Sequence, residues 1–578
     1  MSDPDFDSQP YEAALADLTA AKGAWARLAI PDRVRLLDEV RAATAAVAGD
    51  WVSLACVAKG VAPDSPAAGE DWLGGPWALI ASARTLADNL RTRPVLSHRQ
   101  TVTGQVAVRG YPRSVWDRIV MNGVRAEVWM EPGVTAADLP GLTAVAYADG
   151  ADRTGRLALV LGAGNVSSIG PLDAIHKLFN ENQVVILKLN PVNDYLAPVL
   201  ERALRPLIAA GGLRIVTGGG AVGAWLARHP AVEAIHITGA RATHDRIVWG
   251  EGSEAEVRRA EGRPMNARPI TSELGAVCPT IVVPGPWSAA DIAFQAEQLV
   301  TQKLQNSGFN CIAMQVLILP DGWEGTAPLL SALRARVRGA GPRPAYYPGT
   351  EARLQDFAEV AVAVEHWPRG GGGAPDLVVS EAADIGGAGQ VEVFGPALTV
   401  LRLHAPDPEA FLAAAITLAN DRLYGTLGAN ILIHPRTRRQ IGRAAFERLV
   451  AGLRYGAIAI NGWTGVAYAL PTLPWGGFRG GPTPPTIADA QSGVGTVHNT
   501  LLLEGTERAI VEAPFRPFPR SLTLWPPALL PRPPWFVTHP RAALIGRLLT
   551  RFEARPGLGR LWPLLVQSLR RGPPADAA

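Results

Sequence analysis

Two residues in this chain have the type and setting that nucleophilic catalysis requires. In NSGFNCIAMQVLIL, Cys311 closes a polar, glycine-containing turn just ahead of an apolar run that reads as a strand or a buried helix. That is where a nucleophile can be presented from a rigid element. The opposing reading is that cysteine is often buried and is then inert packing. A thiol with a pKa of about 8.5 is only a few per cent thiolate at neutral pH, so a nucleophilic cysteine needs a base or positive potential beside it. Upstream, in PITSELGAVCPTIVVPG, Glu273 stands two residues before Gly275 and ahead of an apolar strand. By type alone, a loop glutamate is mostly solvated. Cys56 and Cys278 read as structural. Three cysteines without zinc-like spacing make neither a disulfide framework nor a metal site.

The elements that must position these residues alternate in texture. From Tyr11 to about Asn89 apolar residues recur every three or four positions, a helical cover. From Thr92 to Thr143 β-branched residues mix with turns, which predicts short strands. Between Arg156 and Gly239, RLALVLGAGN, QVVILKLN, LRIVTGG and AIHITGA are short apolar runs separated by amphipathic stretches. This is the pattern of a parallel sheet covered by helices, a doubly wound domain. A second α/β stretch, 271–461, carries candidate strands at TIVVPG, MQVLILP, ALTVLRL and GANILIH. A Pro- and Gly-rich passage follows, and from about Arg516 the chain is rich in Pro, Arg, Leu and Trp.

Across 578 residues, 48% are hydrophobic and 19% charged, and the formal net charge is +3. This is enough apolar material for two or three domains, and too little net charge to argue a nucleic-acid or membrane field from the total. The acidic start lacks the basic and apolar regions of a secretory signal, and no uninterrupted apolar run approaches the roughly 18 residues of a spanning helix. The expected location is cytoplasmic.

Around the two reactive residues the sequence resembles a known family. ELGAVCPTIV is similar to the Glu-Leu-Gly-Gly motif of aldehyde dehydrogenases, and NSGFNC to their catalytic-cysteine motif. The resemblance extends over roughly 134–495 through GNVSSIGPLDAI, LKLNP, VTGGGAVGAWLARHP with AIHITGA, EVFGP, LANDRLYGTLGANI and SGVG. It implies an α/β, aldehyde dehydrogenase-like fold: a helical cover with short strands (1–133), a Rossmann-like cofactor domain (134–270) and a catalytic domain (271–461). A return to the cofactor domain with an oligomerisation arm (462–515) and an appended tail (516–578) complete it. It also implies NAD(P)-dependent oxidation of an aldehyde to an acid through a cysteine thiohemiacetal and thioester. Cys311 is then the nucleophile, Glu273 the activator of water, and Asn165 an oxyanion donor. Lys188, Thr238, Gly239, Gly275, Glu392 and Phe394 would line the site of NAD or NADP. A homodimer or homotetramer joined by a β arm near 142–157, with its partner near 495–503, is implied as well.

The sequence departs from the family in places. After Thr238 and Gly239 come ARATH, with His244 where a second glycine is usual, and a bulky side chain there can block a pyrophosphate. Lys188 is followed by Leu189, Asn190 and Pro191, without the acid that favours NAD, so NAD and NADP both stand. Two alternatives stand beside the hydrolytic enzyme: a coenzyme A-dependent acyl reductase, against which Glu273 argues, and a non-catalytic scaffold. In the tail, Leu544, Ile545, Leu548, Leu549 and Phe552 share one helical face. Such a stripe either rests on an anionic membrane, which would suit a long-chain aldehyde, or packs on the body.

Overall fold

The computed structural model describes residues 7–570 and 572, apart from 94, 372, 481–485 and 488–490. Of the segments read above, the first six residues, part of the Pro- and Gly-rich passage and the end of the tail lie outside the described residues.

A five-stranded parallel sheet forms the first α/β unit, in the order Leu213–Val216, Val184–Lys188, Leu157–Leu161, Ala234–Gly239 and Ile270–Leu274. Leu157–Leu161 and Val184–Lys188 are buried at every position, as a sheet covered on both faces requires. The order reverses beside Leu157–Leu161, whose successors lie on opposite sides. This creates a crevice at the carboxyl ends of the strands, where ligands of such folds bind. The second unit was read as beginning at Thr271, and this is corrected: Ile270–Leu274 pairs with Ala234–Gly239, so Glu273 ends the first sheet. The late passage at 492–495 docks on it, Ser272 and Leu274 donating to the carbonyls of Val494 and Ser492.

An eleven-stranded sheet carries the second unit, ordered His98–Gln100, Val106–Tyr111, Arg125–Met130, Thr506–Glu512, Ala457–Ile460, Gly428–Leu432, Cys278–Val282, Met314–Pro320, Ala397–Leu403, Leu377–Ala382 and Val364–Trp367. Pairing is parallel from Thr506–Glu512 to Leu377–Ala382 and antiparallel at both margins. The expected β arm is also corrected. Residues 142–156 hold a 3-10 turn and a single bridge, Thr143 to Leu503, and within 495–503 Val497–His498 pairs with Pro474–Trp475, while longer antiparallel strands at 98–130 and 506–512 join this chain's own large sheet.

The helical cover is Gln9–Ala26, Ile30–Ala58, Ala68–Trp72 and Ala78–Thr92. By length and composition Ile30–Ala58 is apolar enough to cross a membrane. Here its Val34, Leu37, Val40 and Trp51 are buried in the core built around the first sheet. It stops at Gly60, in the left-handed region, where the Val61 N–H reaches back to the Cys56 carbonyl as a helix-ending bond.

The tail docks on this body. Ile545, Leu549 and Phe552 of helix Ala542–Ala554 pack with Leu73, Trp77 and Trp116, so the stripe is buried in the protein and the membrane reading of that helix is corrected. Several ion pairs fasten it. Arg516 and Arg520 hold buried Asp291, Arg532 holds Glu297 at 2.9 Å, and Arg84 of the cover holds Glu553 at 2.6 Å.

Candidate active site

Helix Ala289–Leu304 ends in a turn that sets the height of Cys311. Asn306, Ser307 and Gly308 have φ of 54°, 57° and 86°, three successive left-handed residues. Such a conformation costs roughly 1–2 kcal/mol per non-glycine residue, so the surroundings must hold it. They do so through the helical cover. The Asn306 N–H donates to Glu70 at 2.6 Å, and its side-chain amide donates to the carbonyls of Asn165 and Phe309 at 2.9 and 3.1 Å. Its side-chain oxygen accepts from Lys59 and from the Tyr346 hydroxyl at 3.1 and 3.0 Å.

Lys59 is buried and paired with Asp71 at 2.7 Å. Burial pulls its ammonium down, but Asp71 more than offsets this and raises it above the usual lysine range. Lys59→Met is expected to destabilise the fold by about 3–5 kcal/mol, because Asp71 would be left charged and buried. The unfolding midpoint in denaturant measures this, and adding Asp71→Leu should recover most of the loss. At Gly308 a Cβ would sit 2.8 Å from the Gly395 carbonyl oxygen, on top of a positive φ. Gly308→Ala should therefore cost about 1–3 kcal/mol and lower the thermal midpoint, together with turnover.

Cys311 is partly exposed to the cavity it faces. Burial, then the carboxyls of Glu273 and Glu392, push its thiol well above the usual range, so it rests as a thiol. Glu273 lies close enough to that thiol for each to shift the other. Burial lifts the Glu273 carboxyl to about 8, with Asp173 adding to the rise and the Cys311 contact opposing it. One of its oxygens has no partner. Asn165 donates one amide N–H to Phe309 at 2.9 Å, leaving the second of its two N–H groups to the cavity. Beneath, buried Cys278 points its thiol at the Cys311 carbonyl, 3.5 Å away, in keeping with a structural role.

All nine residues singled out in the sequence line one cavity of about 790 Å³, at the carboxyl ends of the first sheet's strands. Cys311, Glu273, Asn165, Glu392 and Phe394 form one end, with Gly275 beside Glu392. Lys188, three strands away, lies towards the other, while Thr238 and Gly239 pair with Glu273 and Leu274 on the adjoining strand. Thr238 commits its hydroxyl to Asp173 at 2.7 Å. Glu392 is buried, lifted to about 8 by burial and then by Glu273, and one carboxyl oxygen has no partner. A Cβ at Gly275 would fall 2.0 Å from its other oxygen, so the missing side chain is what admits Glu392. The His244 imidazole is buried against Asp245 and lines none of this cavity; Ala240, Thr243 and Arg246 do. The expected obstruction is therefore absent.

A second, apolar cavity reaches the same centre from the opposite side, and Cys311 and Asn165 line both. The sequence reading missed the tail's part in this cavity, and it missed Lys59, Glu70 and Asp71. The one available signal was a cluster of charge, Lys59 followed by Asp64, Glu70 and Asp71, in an otherwise mostly apolar and Gly/Pro-rich stretch.

Comparison with known proteins agrees with this geometry. A profile of the aldehyde dehydrogenase family matches residues 182–366. The chain is 28% identical over 361 residues to N-succinylglutamate 5-semialdehyde dehydrogenase 1 of Caulobacter vibrioides, covering 57% of this chain and 68% of that relative. Other curated relatives match over about half their length. Among solved structures, PnpE in complex with nicotinamide adenine dinucleotide shares the fold with a TM-score of 0.58 at 19% identity, over 87% of this chain and 89% of that one. The NADP-dependent glyceraldehyde-3-phosphate dehydrogenase of Bacillus halodurans, complexed with NADP, aligns with a TM-score of 0.57 at 18% identity, over 88% and 92%. With the motifs in order, the cavity at the strand ends and the cysteine at its inner end, residues 182–366 match the aldehyde dehydrogenase family and most of the chain has the fold of its solved structures.

Proposed function

We propose that the protein oxidises an aldehyde to a carboxylic acid with NAD or NADP, using Cys311 as covalent nucleophile and Glu273 as the base that activates water. The observation that carries this reading is the meeting of two cavities at Cys311, with the buried Glu273 carboxyl lining the larger one beside it.

The residues present fit a dinucleotide. The unpartnered oxygen of Glu392 and the space left by Gly275 suit the nicotinamide ribose, with Phe394 beside it. Lys188 is placed for the adenosine ribose, and the Gly219–Gly220 start of helix Gly220–Arg228, with Arg246, for phosphates. What a bound cofactor supplies is acceptance of a hydride.

The chain's own residues do the rest. Glu273 takes the Cys311 proton as sulfur adds to the carbonyl carbon, forming a thiohemiacetal. The developing oxyanion meets the second N–H of Asn165, a donor of a kind typically worth about 10²–10³ in rate. After oxidation to the thioester, Glu273 releases the Cys311 proton to solvent, then takes a proton from water as it attacks and passes it to the departing Cys311 sulfur, so that the acid leaves and the thiol is restored.

The test is the near-ultraviolet absorbance of reduced cofactor, with a panel of aldehydes and NAD or NADP, in the absence and presence of coenzyme A. Formation without coenzyme A is expected. Turnover only after coenzyme A is added would reassign the chain to the acyl-transferring reductases, and cofactor binding without turnover under any condition would make it a scaffold.

A further inference from the structure

The apolar cavity has a volume of about 140 Å³. That is on the order of ten times the space a single water needs, room for a chain of about ten heavy atoms. Cys311, Asn165 and Asn310 form its inner end, and Trp77, Ile169 and Val466 its sides. Its outer wall comes from the tail, through Trp535, Ile545, Leu549, Leu564 and Leu565. The charged residues among its described lining are Glu70 and Arg343, and these pair with each other at 2.7 Å.

A substrate ending in a carboxylate or ammonium would therefore lie in this chamber without a counter-ion, where uncharged groups such as the Trp463 indole and the Tyr468 hydroxyl offset only part of its desolvation cost. A hydrocarbon chain loses nothing there, and each methylene it buries strengthens binding roughly three- to fourfold. The tail is held in place by contacts that do not involve the chamber, including the Arg516–Asp291 and Arg532–Glu297 pairs, so its inner face is a fixed wall.

We infer that the aldehyde this enzyme takes carries an unbranched hydrocarbon chain of about ten carbons, housed in a chamber whose outer wall is the carboxy-terminal segment. This rests on the reading of Cys311 as the nucleophile. It assigns the tail a specificity role that the two α/β units cannot fill.

The test compares propanal, hexanal, decanal and 5-oxopentanoate on the full chain by cofactor absorbance, and measures decanal and hexanal binding to Cys311→Ala by calorimetry. The expected result is a kcat/KM at least about 100-fold higher for decanal than for propanal, with 5-oxopentanoate well below hexanal. Decanal should bind Cys311→Ala at least tenfold tighter than hexanal, following the per-methylene gain. Leu565→Trp, which fills the chamber at a partly buried position, should lower the decanal-to-propanal ratio of kcat/KM by about tenfold or more. Turnover with a flat chain-length profile, or with 5-oxopentanoate preferred, would overturn the inference and leave the dehydrogenase reading intact. If no aldehyde is turned over, calorimetry still decides: decanal heat with Cys311→Ala supports the chamber, and its absence overturns it.

Discussion

Cys311→Ala is expected to lower aldehyde-dependent formation of reduced cofactor by about 10⁴–10⁶-fold, the scale on which enzymes lose rate when the nucleophile is removed. Cys311 is the one cysteine of three that faces a cavity; Cys56 and Cys278 are fully buried. Burial pushes the Cys56 thiol up to about 12 and the Cys278 thiol higher still, so neither can substitute. The structural consequences of the change are small, because the turn is held by Asn306, Ser307 and Phe309 through backbone and amide contacts that do not use the sulfur. Cofactor affinity measured by calorimetry should therefore stay within a few-fold of the parent. Comparable activity in the variant would remove Cys311 from the chemistry.

Glu273→Gln should slow acyl release by about 10²–10⁴-fold, the usual worth of a positioned base. Because Glu273 also takes the Cys311 proton, rapid mixing should show the first equivalent of reduced cofactor forming more slowly than in the parent, followed by a still slower steady state. The pH dependence has a definite sign. Glu273 acts as a base only when ionised, and burial raises its carboxyl to about 8, so it is mostly protonated at pH 7. Steady-state turnover limited by acyl release should rise as pH is increased from about 7 to 9. The glutamine variant should lose that rise. A parent enzyme whose turnover is flat across this window would exclude Glu273 as the base that limits the reaction.

Much of this was legible in the sequence, for reasons that can be traced to particular residues. The strands of the first sheet are runs such as LALVL and VVILK, buried on both faces, and such runs stand out as uninterrupted apolar segments. The nine candidate residues meet in one cavity because they sit in short motifs beside strand ends, and the fold gathers strand ends into one crevice. Less visible was anything that depends on distant parts of the chain. Thr506–Glu512 reads TERAIVE, a half-polar stretch, yet it lies inside the large sheet, because Glu507 and Arg508 pair with each other and bond to Gln105 and to the Leu453 carbonyl. The role of Lys59 depends on Asn306, 247 positions away. The stripe in the tail was correctly seen as amphipathic, but periodicity does not say what an apolar face rests on.

The position of Thr506–Glu512 also bears on the order in which the protein can assemble. It is the sole bridge, among the described residues, between the early strands His98–Gln100, Val106–Tyr111 and Arg125–Met130 and the rest of the eleven-stranded sheet. On the ribosome those three strands wait while roughly 380 further residues are made before they gain their neighbour, roughly 20–80 s at about 5–20 residues per second. The first α/β unit needs nothing beyond Leu274 to pair its strands. Synthesis thus produces a nearly complete nucleotide-binding lobe long before the catalytic sheet can close. Meanwhile Val106, Val108 and Val128, later fully enclosed, remain exposed to solvent or to chaperones.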